Sequence, residues 1–438
     1  MPEKFGSHTI SGGSSGGRAR GFGDFSDLDL DGDRENDLDQ DGNGENRFEE
    51  EERFDFSVDP TDYRWAWVEV DKDAIVHNVR EINKKIGPRP RLLATVKADA
   101  YGHGAVEVSK IALSAGADWL SVATVQEGAE LREAGITCPI LLLSQPPARS
   151  IPALLHYNII PSVYSTDFAL ALGEMAAARG LVADFHLGIN TGMNRIGVWY
   201  DDVVEFLRLI SFHKGINLAG TFTHFATADE FDDYAFMLQL RRFKEAVNAI
   251  RAAGFDPGIV HCANSAAAIR YKDSCFDMVR AGIAIYGLHP SSATHGVIEL
   301  WPAMSVKARI TAVNEVPVGE GVGYGLTYRS PGHVKICTVP LGYADGLSRA
   351  LSNRMKVLYD GKYCQQVGNI CMDQFMFEVD RRSTLLNPAS DPEFGDEVVI
   401  IGRQGDKILH LDEMAGMLGT INYELACRFG MRLPKVYV

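Results

Sequence analysis

Several features are scarce in this 438-residue sequence, and each absence excludes a class of protein. No apolar run approaches 18 residues, which excludes an ordinary membrane-spanning helix. The N-terminal residues contain no apolar segment typical of secretory signals, so we expect none. Positive charge is in deficit: the net charge is −15 and the pI is near 5.3, which argues against a nucleic-acid partner.

Cysteines are also few, and they are not spaced as pairs along the sequence. The seven cysteines are odd in number, and none shows the paired spacing of metal ligands. Such thiols are typical of a reducing compartment, so we expect a cytoplasmic protein without a metal site. The length and the 46% hydrophobic content suffice for two substantial domains. Together these features favour a protein that binds a small molecule in a pocket, with no membrane partner.

The first sixty residues differ in composition from the rest, with 17 Asp or Glu against 6 Lys or Arg. Two near-repeats that start at Asp27 and Asp37 begin like EF-hand calcium loops. Their twelfth positions are Leu38 and Phe48, where such a loop requires a glutamate. We therefore expect residues 1–62 to form a disordered acidic extension, in preference to a calcium site.

From Arg91 onward, short β-branched or leucine-rich runs alternate with longer amphipathic segments, which predicts parallel βα units. Eight strands are predicted at Arg91–Lys97, Asp118–Thr124, Pro139–Ser144, Ile159–Tyr164, Val182–Ile189, Ile216–Phe225, Gly258–Asn264 and Met278–Tyr286. Helices are predicted at Ala105–Ala115, Val125–Ala134, Thr166–Arg179, Asp201–Phe212 and Asp232–Ala253. Eight such units predict a (β/α)8 TIM-like barrel, for which we expect residues 63–300.

Lys97 is the most informative residue of this region because it ends an apolar strand, in the segment Val96-Lys-Ala-Asp-Ala-Tyr-Gly-His-Gly104. Burial and neighbouring cations lower the pKa of a lysine, and its neutral amine can then form an imine with an aldehyde cofactor. A lone lysine at a strand end more often extends its ammonium into solvent. Other chemically active side chains follow later strands, at the barrel end where such enzymes carry out their chemistry. These side chains are Arg195, His224, His261 and Arg280.

Taken together, these segments resemble the alanine racemases, a family of fold-type III pyridoxal-phosphate enzymes. The resemblance extends from about Trp65 to the C-terminus. The Lys97 segment resembles the cofactor-lysine signature of the family. Three later segments resemble its C-terminal signatures in the expected order, and they are Gly323-Tyr-Gly-Leu-Thr-Tyr328, Gly342-Tyr-Ala-Asp-Gly346 and Gly368-Asn-Ile-Cys-Met-Asp373.

The resemblance implies the reaction and its two bases. Lys97 would hold pyridoxal 5'-phosphate and then act as one base at the substrate α-carbon. Tyr324 would be the second base, approaching the opposite face from the partner subunit of a homodimer with shared active sites, so a monomer should be nearly inactive. The implied reaction interconverts L- and D-alanine and supplies D-alanine for peptidoglycan.

The resemblance also implies the cofactor contacts. Arg280 would face the pyridine nitrogen, with His261 supporting it and His224 stacked on the ring. Because a guanidinium keeps its proton, the ring nitrogen would stay unprotonated, which favours reprotonation over transamination. The implied phosphate contacts are Tyr101, Ser265, the backbone amides of Gly282 and Ile283, and Tyr286.

Substrate contacts follow from the same resemblance. Arg195 and the backbone of Met372 of the partner subunit would bind the substrate carboxylate. Tyr343 and Arg349 resemble the gate through which the substrate reaches the site. For Arg349, a surface ion pair is an equally good interpretation.

Three positions depart from the family pattern. Gly188 and Asn190 stand where the family often has a carbamate-modified lysine and an aspartate, so Arg195 lacks its usual negative neighbour. Met431 stands where a phosphate-contacting tyrosine is expected, and a thioether cannot donate a hydrogen bond. These departures leave open a racemase for serine or another amino acid in place of alanine.

Residues 301–438 differ from the barrel region in their sequence pattern. Short β-branched runs separated by Gly, Pro and Asp predict a mainly β C-terminal domain, which the strand near Trp65–Val70 is expected to join. Strands are predicted at Met304–Val313, His333–Leu341, Lys356–Tyr359, Gln374–Val379 and Glu397–Ile401, with a helix near Leu411–Leu418.

Two other functions share some of these features. An amino-acid decarboxylase of the same fold type would share the barrel and the lysine, but it would not need a tyrosine base opposite Lys97. A cofactor carrier without enzymatic activity would consist of the barrel alone. The long second domain with Tyr324, Tyr343 and Met372 favours the racemase over both.

Overall fold

The computed structural model describes residues 60–380, 391–430 and 432–438. Residues 1–59 of the expected acidic extension, residues 1–62, therefore lie outside the described residues. Its last residues instead belong to a short helix, Pro60–Tyr63. Among the residues described, no helix combines the length and the apolar character needed to cross a bilayer.

Eight parallel strands close into the barrel predicted from the sequence. Each strand pairs with the next along the chain, and the ring closes where Arg91–Thr95 also pairs with Met278–Ala281. The other six strands are Trp119–Val122, Ile140–Leu142, Ile160–Val163, Ala183–Asn190, Ile216–Phe222 and Ile259–His261. Their apolar side chains are largely buried because helices cover the outside of the barrel.

Helices lie on the outer face between consecutive strands. They are Ala105–Ser114, Val125–Glu133, Ile151–His156, Thr166–Ala177, Val203–Ile210, Tyr234–Ala252 and Ser265–Arg270. An eighth helix, Lys72–Ile86, precedes the first barrel strand and contacts the helices Ala105–Ser114 and Ser265–Arg270. This helix was not predicted from the sequence, although Asp71 caps it by accepting a hydrogen bond from the Ala74 amide at 2.8 Å.

Seven of the eight barrel strands end one to five residues earlier than predicted, and for the first and the eighth strand the difference shapes the barrel mouth. The first strand ends at Thr95, so Lys97 lies beyond it instead of ending it. The eighth strand ends at Ala281, because Gly282 (φ −110°, ψ −100°) leaves the extended conformation. The predicted continuation to Tyr286 is instead a 3₁₀ helix, Ile283–Tyr286.

The second sheet contains ten strands, mostly antiparallel. They are Ala66–Val70, Met304–Arg309, Ala312–Val316, Val334–Val339, Lys356–Tyr359, Lys362–Val367, Phe375–Asp380, Glu397–Gln404, Lys407–Leu409 and Lys435–Tyr437. The predicted strand Met304–Val313 is in fact two strands, since Ile310 and Thr311 interrupt it. The early strand Ala66–Val70 pairs with both Met304–Arg309 and Lys435–Tyr437. A separate small hairpin joins Gly321–Val322 to Tyr328–Arg329.

Two helices near the C-terminus connect the second sheet to the barrel. They are Leu411–Leu418, as predicted, and Asn422–Arg428, which contacts the segment Lys97–Tyr101. A second link is the fully buried Asn78, whose side chain donates to the carbonyls of Ile285 (3.0 Å) and Trp301 (2.8 Å). These links hold the C-terminal residues beside the end of the barrel where the strands finish.

Candidate active site

A cavity of about 680 Å³ lies at the carboxyl ends of the barrel strands. Its wall includes most of the barrel residues identified from the sequence: Lys97, Tyr101, Arg195, His224, Ser265, Arg280, Gly282 and Ile283. Among the described residues that line it, three are Lys or Arg and Glu424 alone is acidic. The wall is therefore positively charged and suits an anionic ligand.

Lys97 reaches this wall two residues after the strand Arg91–Thr95. Burial lowers the pKa of its amine, the charge of Arg195 lowers it further, and Glu127 acts in the opposite direction. The Glu127 carboxylate accepts hydrogen bonds from backbone amides, including that of Ala98 at 2.8 Å. The amine can thus become neutral below the usual range of a lysine, and the neutral form attacks an aldehyde.

A left-handed turn follows Lys97. Ala98, Asp99, Ala100 and Tyr101 all have φ between 52° and 53°. This conformation costs about 1–2 kcal/mol for each such residue, so the surrounding contacts must hold it in place. The turn places Tyr101 in the same cavity wall as Lys97. None of its four residues is glycine, which is why the sequence did not reveal it.

Arg280 is buried beneath the cavity without a carboxylate partner among the described residues. Its guanidinium donates to the carbonyl of Thr223 and to Nδ1 of His261, both at 2.8 Å, and lies 3.2 Å from Nδ1 of His224. Burial lowers the pKa of Arg280 to about 10, which leaves it charged at neutral pH. Burial, and then the Arg280 charge, hold the pKa values of His224 and His261 well below the usual range.

The hydrogen bonds around Arg280 determine which ring nitrogens carry protons. A guanidinium only donates, so Nδ1 of His261 accepts, and its Nε2–H donates to Nδ1 of His186 at 2.8 Å. His186 then carries its proton on Nε2, which has no partner among the described residues. Burial lowers the pKa of His186 to about 3, so it stays neutral. The sequence analysis missed His186, whose position two residues before Gly188 on the same strand face was the available signal.

Hydroxyl groups and backbone amides form one end of the cavity. The Gly282 amide donates to Oγ of Ser265 at 2.9 Å. A Cβ atom at Gly282 would lie 2.7 Å from the Tyr101 hydroxyl oxygen, so a larger residue there would displace that hydroxyl. Burial raises the pKa of Tyr101, which keeps its hydroxyl protonated and able to donate. Together with the Ile283 amide, this donor set suits a phosphate group without a metal.

Tyr423 is a cavity residue that the sequence analysis did not identify. Its ring lies 6.2 Å from the ring of Tyr101, and burial raises its pKa, so its hydroxyl also keeps its proton. It can supply the hydroxyl whose absence was expected from Met431, a residue outside those described. The available signal was a tyrosine eight residues before Met431.

Tyr286 lies elsewhere than expected. It is fully buried, it is not among the residues that line the cavity, and its hydroxyl donates to the carbonyl of Thr95 at 2.8 Å. Its ring lies 5.0 Å from that of Tyr101. Because the 3₁₀ helix turns back into the core, Tyr286 supports Tyr101 from behind and does not face the phosphate end.

Arg195 lies in the cavity wall near Gly188 and Asn190. Within the part of the chain that the structure describes, no carboxylate forms an ion pair with it. Asn190 instead organises the loop, since its Oδ1 accepts from the amides of Gly192 (3.0 Å) and Asn194 (3.1 Å). The Arg195 guanidinium is therefore available to a carboxylate from outside the chain.

Three of the predicted site residues lie in the C-terminal part of the chain, in segments between strands, and not in this cavity. Tyr324, Tyr343 and Met372 are 75%, 43% and 53% exposed. Asn369 donates to the Tyr324 carbonyl at 2.7 Å, and the Tyr343 amide donates to the Cys371 carbonyl at 3.0 Å. These contacts join the three segments into one exposed surface, which we call the tyrosine surface. A single chain does not bring the tyrosine surface to Lys97.

Comparison with known proteins assigns both parts of the chain to one family. Residues 70–290 match the family described as Alanine racemase, N-terminal domain, and residues 303–437 match Alanine racemase, C-terminal domain. The chain is 40% identical to the alanine racemase of Synechocystis sp. over 376 residues, which covers 85% of this chain and 99% of that protein.

Solved structures give the same result. The crystal structure of alanine racemase from Bacillus anthracis with bound L-Ala-P is 37% identical, with a TM-score of 0.80, and the match covers 86% of this chain and 95% of that one. A histidine racemase from Leuconostoc mesenteroides is 29% identical with a TM-score of 0.79, covering 86% and 98% of the two chains. Since the family match spans both sheets and the relatives are aligned almost over their full length, the chain belongs to the alanine racemase family.

Proposed function

We propose that this protein is a pyridoxal 5'-phosphate-dependent alanine racemase that acts as a cytoplasmic homodimer with shared active sites and supplies D-alanine for peptidoglycan. The observation that carries the proposal is the convergence of Lys97, Tyr101 and Arg280 on one positively charged cavity, in a chain of this family. The seven cysteines, all free thiols, support a cytoplasmic location.

The residues of the cavity fit the cofactor. Tyr101, Ser265 and the amides of Gly282 and Ile283 would hold its phosphate, and His224 would lie against its ring. Lys97 would hold it covalently through the amine. When bound, pyridoxal phosphate withdraws electrons from the substrate α-carbon and so makes the hydrogen on that carbon acidic.

Lys97 would remove or return a proton on one face of the α-carbon. Burial and the Arg195 charge lower the pKa of its amine, so the amine can accept a proton at Nζ and release it again more readily than a solvent-exposed lysine. Arg195 would orient the substrate, because its guanidinium lacks an internal carboxylate and can pair with the carboxylate of an amino acid.

Arg280 would donate a hydrogen bond towards the pyridine nitrogen without giving up its proton. Its pKa of about 10 keeps it charged, and its partners in this chain are neutral histidine rings and carbonyl groups. A donor that keeps its proton limits how far charge moves into the ring, which favours return of the proton to the α-carbon.

The second proton transfer would come from Tyr324 of the partner subunit. The exposed position of this residue on the tyrosine surface supports the assignment, because a second copy of the chain can insert it into the cavity. The Met372 backbone and the Tyr343 side chain would enter with it. Two bases on opposite faces would then allow both directions of racemisation.

The alternatives are less well supported. The curated relatives at about 40% identity are alanine racemases, which does not favour a decarboxylase or a carrier. The likeness to a histidine racemase makes it worthwhile to test other amino acids alongside alanine.

The proposal is tested by incubating the purified chain with pyridoxal 5'-phosphate, reducing it with borohydride and mapping the labelled peptide. Racemisation of L- and D-alanine, serine and histidine is then followed by chiral chromatography. We expect the label on Lys97 and the fastest conversion for alanine. A label on another lysine, or conversion of none of these amino acids, would overturn the proposal.

A further inference from the structure

The left-handed turn after Lys97 is covered on its outer side by the C-terminal residues. A Cβ atom at Gly104 would lie 1.8 Å from the Tyr437 hydroxyl oxygen, and one at Gly102 would lie 2.3 Å from the Ala426 carbonyl oxygen. Glycine is therefore required at both positions by close approach as well as by positive φ. The turn and the C-terminal residues pack directly against each other, with no space for a side chain at Gly102 or Gly104.

Asp99, inside the turn, is held from two directions. Its Oδ1 accepts a hydrogen bond from the Ala105 amide at 2.8 Å, at the start of the next helix. Its Oδ2 pairs with Nζ of Lys435 at 2.6 Å, and the Lys435 side chain is only 17% exposed. The ion pair thus connects the turn directly to the strand Lys435–Tyr437.

His103 carries the second connection. Its Nδ1 lies 3.0 Å from the carbonyls of both Ala100 and Tyr101, so it must carry the proton and donate to the turn. The Tyr437 hydroxyl donates to the His103 carbonyl at 3.1 Å. Burial lowers the pKa of His103 to about 4 and raises that of Tyr437 to about 12, so both groups keep these roles across the neutral range.

The strand that carries Lys435 and Tyr437 is itself fixed. It pairs in parallel with Ala66–Val70, and the Val438 amide donates to the Val70 carbonyl at 3.1 Å. The Lys72 amide donates in turn to the Val438 carbonyl at 3.0 Å. The C-terminal strand is therefore a rigid support on which the strained turn can be held.

We propose that Lys435 and Tyr437 are positioning residues for Lys97: they clamp the turn Ala98–Tyr101 in its left-handed conformation and thereby hold the Lys97 amine and the Tyr101 hydroxyl in one cavity wall. Neither residue lines the cavity, so they act through the turn and not on a ligand. The inference deepens the proposed function, because the groups it places are the proposed cofactor lysine and a phosphate contact.

The test uses Lys435→Gln and Tyr437→Phe in the full chain. Two remote variants are matched controls. Lys335→Gln breaks an ion pair of the same length, 2.6 Å, with a side chain 15% exposed, and Tyr363→Phe removes a hydroxyl that donates to the Ile408 carbonyl at 3.0 Å. Asp99→Asn breaks the Lys435 ion pair from the side of the turn, and Lys435→Arg is a conservative variant that should retain the pair.

The first measurement is amide hydrogen exchange of the peptide covering residues 97–104, in protein without added cofactor. We expect exchange about tenfold faster in Lys435→Gln, Tyr437→Phe and Asp99→Asn, because a released turn opens locally. Both controls and Lys435→Arg should match the parent, with unchanged exchange in the barrel strands. Adding Lys435→Gln to Asp99→Asn should give no further increase.

The second measurement is the rate at which added pyridoxal 5'-phosphate becomes reducible onto Lys97 by borohydride. We expect a decrease of roughly three- to tenfold in the same variants and none in the controls. Unchanged exchange of residues 97–104, or an equal increase in the Lys335→Gln control, would overturn the clamp. If the parent protein attached no cofactor at all, the proposed function would be wrong. The hydrogen exchange of residues 97–104 would still test whether Lys435 and Tyr437 hold the turn.

Discussion

The cavity wall of the barrel and the tyrosine surface of the C-terminal part differ in charge and in exposure. The wall is positively charged and internally hydrogen-bonded, and its Arg280 is only 3% exposed. The tyrosine surface is exposed, with Tyr324 at 75%. The first can bind and orient a ligand within one chain, whereas the second presents its tyrosines to solvent.

Under the proposed function, each chain would carry two half-sites, which are the cavity wall and the tyrosine surface. A buried wall that ends in an open cavity requires a cover, and an exposed tyrosine that is to act as a base requires a site to enter. In a symmetric dimer, the tyrosine surface of each chain can cover the cavity of the other chain, so both requirements are met at both sites. The predictions that follow separate the contribution of each half-site.

The largest effect is expected from Lys97→Ala, which removes the amine of the barrel half-site. We expect racemisation to fall by at least roughly 10⁴-fold, since both the covalent attachment and one base are lost. The absorbance of the attached cofactor should also disappear. Lys85→Ala on the outer helix Lys72–Ile86 is the control and should behave as the parent. Substantial activity in Lys97→Ala would show that another amine carries the chemistry.

Tyr324→Phe should have the next largest effect and should leave the barrel half-site intact. We expect cofactor attachment as in the parent, with racemisation in both directions reduced roughly 10²- to 10⁴-fold. Exchange of the α-hydrogen of D-alanine in deuterated water should be lost less than racemisation, because Lys97 still acts on its own face. Tyr234→Phe changes a tyrosine of similar exposure, 74%, and should have no effect. Equal racemisation by the Tyr324 variant and the parent would refute the second base.

Acid should destabilise the barrel half-site. The pKa values of His103 and His186 are lowered to about 4 and about 3, and those of His224 and His261 are also lowered. Their folded pKa values lie below the unfolded value near 6.5, so the unfolded chain binds more protons and stability falls as the pH drops below that value.

For these four groups together, we expect the free energy of unfolding to decrease on average by about 4 kcal/mol per pH unit between roughly pH 6.5 and 5. Urea unfolding at several pH values measures the slope. His186→Gln should reduce the slope by about one quarter even if it lowers stability at every pH. A flat profile over this range would mean that the buried rings are not held neutral.

The smallest effect is expected from Ala98→Gly in the left-handed turn. Glycine adopts φ near 52° without steric cost but loses more entropy on folding, so we expect a net gain of about 0.5 kcal/mol. Ala178→Gly, at φ −59°, should instead lower stability by about 0.5–1 kcal/mol. The midpoints of urea unfolding give both values. A loss at Ala98 as large as that at Ala178 would contradict the strain assigned to the turn.

Much of the fold could be predicted because its signals are local. The eight barrel strands and the helix Leu411–Leu418 follow from periodicity and from glycines at helix ends. Boundaries were less certain where the backbone departs from regular geometry, as at Gly282. The helix Lys72–Ile86 was missed because it precedes the alternating pattern, although it completes the ring of helices.

The site was predictable only where a residue type implies a chemistry. Lys97, Arg195 and Arg280 carry charges that need an explanation at a barrel end, and the structure places all three in one cavity wall. Tyr423 and His186 were missed because a tyrosine and a histidine are common in cores, and only the fold shows what they face. The left-handed turn was not predictable, since it depends on contacts with residues more than 300 positions away, such as Tyr437.

Mixing two inactive variants tests the shared site most directly. Lys97→Ala retains Tyr324, and Tyr324→Phe retains Lys97, so a mixed dimer contains one complete site and one site that lacks both groups. After subunit exchange at equal concentrations, the account predicts alanine racemisation at about one quarter of the parental rate, since half of the dimers are mixed and each has one working site. A mixture as inactive as its two components, despite demonstrated exchange, would contradict the account.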